Sequence, residues 1–170
     1  MNRRLLLQLA AALTLTVASI LASAARAQGE GGQDGGIEVR DVFSRATIGE
    51  ATSGVVYLTI VNHASGPDRL MTASTRAAAR TDLHMTVRDG DIVRMRRLET
   101  IEIEAGGTVA FKPGGAHVML SGLAAPLREG DSFELTLEFE AAGQMRLEVP
   151  VRSIAAGSAD EGDRDGHGGH

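Results

Sequence analysis

Two histidines and three methionines fall between His84 and Met119 in a chain that contains no cysteine: His84-Met85, Met95, and His117-Val118-Met119. Ten residues separate His84 from Met95, and twenty-one separate Met95 from His117. Imidazole is a general transition-metal ligand, whereas thioether sulfur is soft and uncharged and prefers Cu(I) to the harder divalent ions. Zinc sites draw instead on Cys, His or carboxylate. In an oxidising compartment thiolates are lost to disulfides while thioethers remain competent ligands, with sulfoxide formation as their weakness. The chemistry that suits these side chains is the holding of a soft metal ion by two nitrogens and two sulfurs.

A hairpin and a third strand would have to position them. Asp89-Gly90 is a dipeptide favoured in two-residue type I′ turns. If those two residues form the loop, Arg88 pairs with Asp91, and counting back sets His84 directly opposite Met95 with β-carbons roughly 4.5 to 5.5 Å apart. Alternation places Asp82, His84 and Thr86 on one face and Leu83, Met85 and Val87 on the other, so Met85 points away from His84. His117 and Met119, two residues apart, share a face on another strand, with Val118 and Leu120 on the apolar side. Two ligands from the hairpin and two from that strand converge at a polar rim open to a partner.

The 170 residues suffice for one domain, and 43% hydrophobic content gives it a core. The first part stands apart: a basic head at Arg3-Arg4, an apolar run from Leu5 to Leu21, and a small-x-small site at Ala25-Arg26-Ala27. An export signal over residues 1–27, cleaved after Ala27 and leaving no membrane insertion, is expected; an uncleaved anchor is the alternative. No cysteine follows the run to take a lipid. Cleavage removes three arginines and no acid, moving the formal charge from −5 to −8. That balance argues against nucleic acid as a partner. Zero cysteines also exclude a blue-copper centre, which needs a thiolate, and a thioredoxin-like motif, which needs two.

Gln28 to Gly36 is glycine-rich and is expected to be a flexible linker. From Ile37 onward short β-branched runs alternate with turn residues. Strands are expected at Ile37–Val39, Gly54–Val61, Asp68–Ala73, Leu83–Val87, Ile92–Leu98, Thr108–Phe111, Val118–Leu120, Ser132–Phe139 and Met145–Val151. Thr72 to Arg80 is expected as a loop or one helical turn. In the run from Phe133 to Phe139 the odd positions, Phe133, Leu135, Leu137 and Phe139, face the core. Pro113-Gly114-Gly115 makes a turn before His117. Many short strands without a long helix indicate an all-β sandwich or barrel over residues 37–153. Residues 154–170 have the composition of a disordered tail. Met71 and Met145 are assigned to packing, and His63, after Asn62 at a strand end, to a structural role.

The pattern His84-(Met85), Met95, His117-x-Met119, with gaps of ten and twenty-one, resembles the H(M)X10MX21HXM signature of the periplasmic PCuAC copper chaperones, and every motif position is matched. The resemblance extends over about Ile37 to Ser153 and includes Asn62, Asp68-Arg69-Leu70 and Pro113-Gly114-Gly115-Ala116-His117. It implies a cupredoxin-like Greek-key β-sandwich that carries Cu(I) toward the copper subunit of a respiratory cytochrome oxidase or its assembly factors. By the same carry-over His84, Met95, His117 and Met119 are the ligands, with Met85 as an optional neighbour. In the tail, His167 and His170, near Asp163 and Asp165, form a second candidate set suited to Cu(II).

Two other functions fit the residues: periplasmic copper storage or detoxification, and a β-sandwich interaction module with incidental surface methionines. An enzyme is not expected, because no Ser-His-Asp set or carboxylate pair can be assigned and four protein ligands leave no open position for chemistry.

Overall fold

A computed structural model of the chain describes residues 33–34, 36–90 and 92–157. The expected export signal, and the part of the tail that carries His167 and His170, lie outside the described residues. Among the described residues there are eleven strands: β1 Gln33–Asp34, β2 Ile37–Arg45, β3 Ser53–Asn62, β4 Asp68–Ser74, β5 Ala78–Asp89, β6 Ile92–Leu98, β7 Ile101–Ile103, β8 Thr108–Phe111, β9 Ala116–Leu123, β10 Ser132–Phe139 and β11 Gly143–Arg152. Among the described residues no element is a helix. Thr72 to Arg80, expected as a loop or helical turn, is instead the end of β4, a short bend and the start of β5. Within the expected linker, Gln33 and Asp34 pair with Glu38 and Ile37.

Strand neighbours run β6-β5-β9-β8-β3-β2-β11-β10-β4-β7, with β9 also paired directly to β3. The sheet folds into two layers where β2 hands over to β11 through a short parallel pairing of Ser44 with Val151. Alternation builds the core between them. Val56, Leu58, Ile60, Leu83, Val118 and Leu120 enter from one layer, and Leu70, Ile103, Leu135, Leu137, Leu147 and Val149 from the other, in one buried cluster. The expected face of β10 is present, with Leu135, Leu137 and Phe139 buried and Phe133 packed at the margin. With twelve aliphatic side chains essentially removed from water, the core needs neither indole nor disulfide.

Polar groups at the strand ends are satisfied locally. Asn62, fully buried, donates from Nδ2 to the carbonyls of Gly66 (2.9 Å) and Ile103 (3.1 Å) and accepts from the Ala64 N–H (2.9 Å). Asp68 accepts the backbone N–H groups of Arg69, Ala141 and Ala142 at 2.7, 2.9 and 3.0 Å, tying β4 to the β10–β11 turn. His63 Nε2 lies 2.7 Å from Glu38 Oε2, a hydrogen-bond contact between β2 and the end of β3. Met145 is buried in the core as expected. Met71 is not a packing residue: it faces solvent from β4, where Leu70 and Ala73 supply the inward contacts.

Candidate metal centre

The site forms where β6, β5 and β9 lie side by side, on the sheet face turned away from the core. Two turns aim it. Before β9, Pro113-Gly114 occupies the corner of a turn in which the Gly115 N–H donates to the Lys112 carbonyl at 2.9 Å. Gly114 has φ 75°, a left-handed conformation that glycine takes without steric cost. The Gly115 carbonyl then accepts the Thr86 N–H at 3.1 Å, locking the entry of β9 to β5.

At the hairpin the structure corrects the expected register. Asp89 pairs with Ile92, so Asp89 belongs to the strand rather than to the loop. Gly90, with φ 59°, occupies the first loop position. His84 is therefore opposite Arg97, and Met95 is opposite Thr86. The physical reason is visible at the other end of the hairpin, where this pairing sets Leu98 opposite the buried Leu83 and against the core. The expected pairing would have put Arg96 there. Because the displacement is two residues and the side-chain period is two, His84 and Met95 still share a face. They are diagonal neighbours, within reach of a long thioether side chain.

The direct opposition that exists is His84 with His117, across β5 and β9. The two rings meet edge to face, with centroids 5.8 Å apart. Met119 follows on the same face, opposite Asp82 on β5 and Val55 on β3. Met119 also lines an apolar groove of about 350 Å3, together with Val55 and the exposed Ile48 and Ile154. Met85 points to the other face and packs half-buried against the core, separated from the imidazoles as alternation required.

Burial divides the set. His117 is only 4% exposed, whereas Met95 on the edge strand β6 is 63% exposed. His117 Nδ1 lies 3.2 Å from the Gly115 carbonyl. That contact calls for a proton on Nδ1, which leaves the Nε2 lone pair free. Nε2 is buried and has no hydrogen-bond partner, and the same holds for His84 Nδ1. Burial is the main cause holding the His117 pKa below the ordinary histidine value. The hydrogen bond to Gly115 opposes it, and charge on His84 adds to the lowering. The imidazole is thereby kept neutral, the form that donates a lone pair to a metal. Buried polar atoms without partners are rare, and two on facing imidazoles suit an ion between them. Among the described residues no three His, Cys, Asp or Glu are grouped to hold a metal.

Three charged residues on this face carried no role in the sequence reading. Asp82 is buried beneath two arginines, with Arg80 Nε 2.9 Å from Oδ2 and Arg97 Nη2 3.1 Å from Oδ1. The Arg97 contact is at ion-pair distance without hydrogen-bond geometry, since Asp82 Oδ1 accepts no hydrogen bond. Asp82 could have been singled out from its spacing alone, two residues before His84 on an alternating strand. Arg97 could not, because its place depends on the hairpin register.

A two-layer β-sandwich of cupredoxin-like type, with nitrogen and sulfur donors gathered on its outer face, defines the class. The chain matches the family described as putative lipoprotein LpqE-like over residues 37–151 and belongs to it. It is 34% identical over 134 residues to a putative lipoprotein, Lxx21020, of Leifsonia xyli subsp. xyli, covering 77% of this chain and 78% of that one. Among solved structures it is similar to the copper-bound PCuAC domain from PmoF2, with TM-score 0.63 and 26% identity, covering 72% of this chain and 97% of that domain. It is also similar to apo-DR1885 from Deinococcus radiodurans, with TM-score 0.56 and 27% identity over 77% and 88% of the two chains.

Proposed function

We propose that this protein is an exported, periplasmic metallochaperone that binds Cu(I) through His84, His117, Met119 and Met95 and delivers it toward the copper centres of a respiratory cytochrome oxidase. The observation that carries the reading is the facing pair of imidazoles, His117 buried and His84 half-buried, each with a buried nitrogen lacking any protein partner, on the face that also bears Met119 and Met95. Imidazole and thioether are neutral ligands, and a set without thiolate or carboxylate favours a soft, low-charge ion. The similarity to a copper-bound PCuAC domain supports the same cargo.

The unequal exposure of the ligands suits a carrier. The histidines form a preset, water-poor half of the site, while Met95 on its exposed edge strand can leave and return as a partner's ligand takes its place. Copper is then cargo rather than a resident catalyst, and the protein is not an enzyme. Deleting the gene and growing cells in low copper tests delivery: assembled oxidase should fall and recover when copper is added. Normal oxidase together with heightened copper sensitivity would show storage or detoxification instead.

A further inference from the structure

All four ligands proposed above are uncharged, so nothing in the ligand set cancels the charge of the ion it holds. Arg80, Asp82 and Arg97 are fixed charges on the same sheet face as the set. The Asp82 side chain is 5% exposed, sits opposite Met119 and is already engaged by both guanidinium groups. Arg97 stands directly across from His84 and leans along the strand toward Asp82. The cluster therefore presents one buried negative charge and two positive ones, a net of one positive charge facing the ion.

We propose that the Arg80–Asp82–Arg97 cluster is a charge filter that favours a monovalent over a divalent ion at the His84–His117 site, with Arg97 its principal residue. This rests on the copper-binding reading of the same face. Thioethers select for softness, whereas a fixed positive charge selects on ionic charge, because its repulsion doubles when the ion goes from one positive charge to two. Asp82 pairs with both guanidinium groups, at 2.9 Å from Arg80 and 3.1 Å from Arg97, and so holds Arg97 beside the site. Positions two apart on a strand are separated by about 6.6 Å, which sets the scale of the distance from guanidinium to ion. Arg97 is 72% exposed at the side chain, so solvent screens it, and one such charge at that range shifts the divalent-to-monovalent preference about threefold.

The test is competitive titration of the full chain with Cu(I) and with Cu(II), and the potential of the bound couple, in a background where His167 and His170 are alanine. Arg97→Gln should move the affinity ratio about threefold toward Cu(II), equivalent to lowering the potential by about 30 mV at about 59 mV per tenfold for one electron. Arg80→Gln combined with Arg97→Gln should move it about fivefold, since Arg80 lies four strand positions, about 13 Å, from His84, and Arg97→Lys, which keeps the charge, should restore the original ratio. The shifts should shrink in high salt. A purely structural arginine would change both affinities together and leave the ratio fixed, which would overturn the proposal while tight Cu(I) binding persisted. Absence of Cu(I) binding by the parent chain would overturn both the filter and the function on which it rests.

Discussion

Replacing His117 by leucine should make the metal-free protein more stable while abolishing its ability to hold the ion. The buried Nε2 has no partner, and an unsatisfied buried polar atom costs about 1–3 kcal/mol. Leucine removes that cost and forfeits the Nδ1 hydrogen bond to Gly115, which contributes about 0.5–1.5 kcal/mol. The Gly115 carbonyl is not orphaned, because it still accepts the Thr86 N–H. His84 Nδ1 is unpartnered before and after, so its cost cancels. The balance is a gain of about 1 kcal/mol, or about 4 °C in melting temperature for a domain of this size. Urea unfolding of metal-free protein at neutral pH measures it, provided the slope with denaturant is unchanged between variants. Adding Cu(I) should then raise the stability of the parent and leave the leucine variant where it was. A leucine variant less stable than the parent by 1 kcal/mol or more would refute the reasoning that the site carries an unmet acceptor.

Acid should weaken the metal-free fold in part through the same residue. Because burial lowers the His117 pKa in the folded state, the unfolded chain takes up the proton first as pH falls below about 6.5. The contribution is fully present above that value and is lost as pH drops through the lowered folded one, so urea midpoints measured downward from pH 7.5 should fall less steeply for His117→Leu. Asp68→Ala removes three hydrogen bonds to a buried carboxylate and should destabilise by about 3–5 kcal/mol, read by the same unfolding assay. Met145→Ala, within the core, should cost about 2–4 kcal/mol, whereas Met71→Ala, on the surface, should stay within about 0.5 kcal/mol.

Periodicity made most of the sandwich legible. Ile92–Leu98, Thr108–Phe111 and Ser132–Phe139 coincide with observed strands, because each is a β-branched or alternating run closed by turn residues. The three-residue β7 is too short to show a period, and β2 continues past Val39 to Arg45 although Asp41 with φ 56° breaks its alternation at a bulge. At the site, alternation alone separated Met85 from His84 and paired His117 with Met119. The hairpin register is not fixed locally, because Asp89-Gly90 and Gly90-Asp91 both have the composition of a two-residue loop, and only the meeting of Leu98 with Leu83 chooses between the registers. The opposition of His84 and His117 was out of reach, since it follows from the non-local pairing of β5 with β9. Local patterns do not encode that pairing.

The central claim is that two facing imidazoles and two thioethers hold Cu(I). Titration of the protein with Cu(I) against a competing chelator, alongside His117→Ala and Met95→Leu, tests it most directly. Tight one-to-one binding by the parent, a large loss with His117→Ala and a smaller loss with Met95→Leu are expected, since the buried imidazole is preset and the exposed thioether is exchangeable. Weak binding by the parent, or tight binding that neither substitution disturbs, would contradict the account.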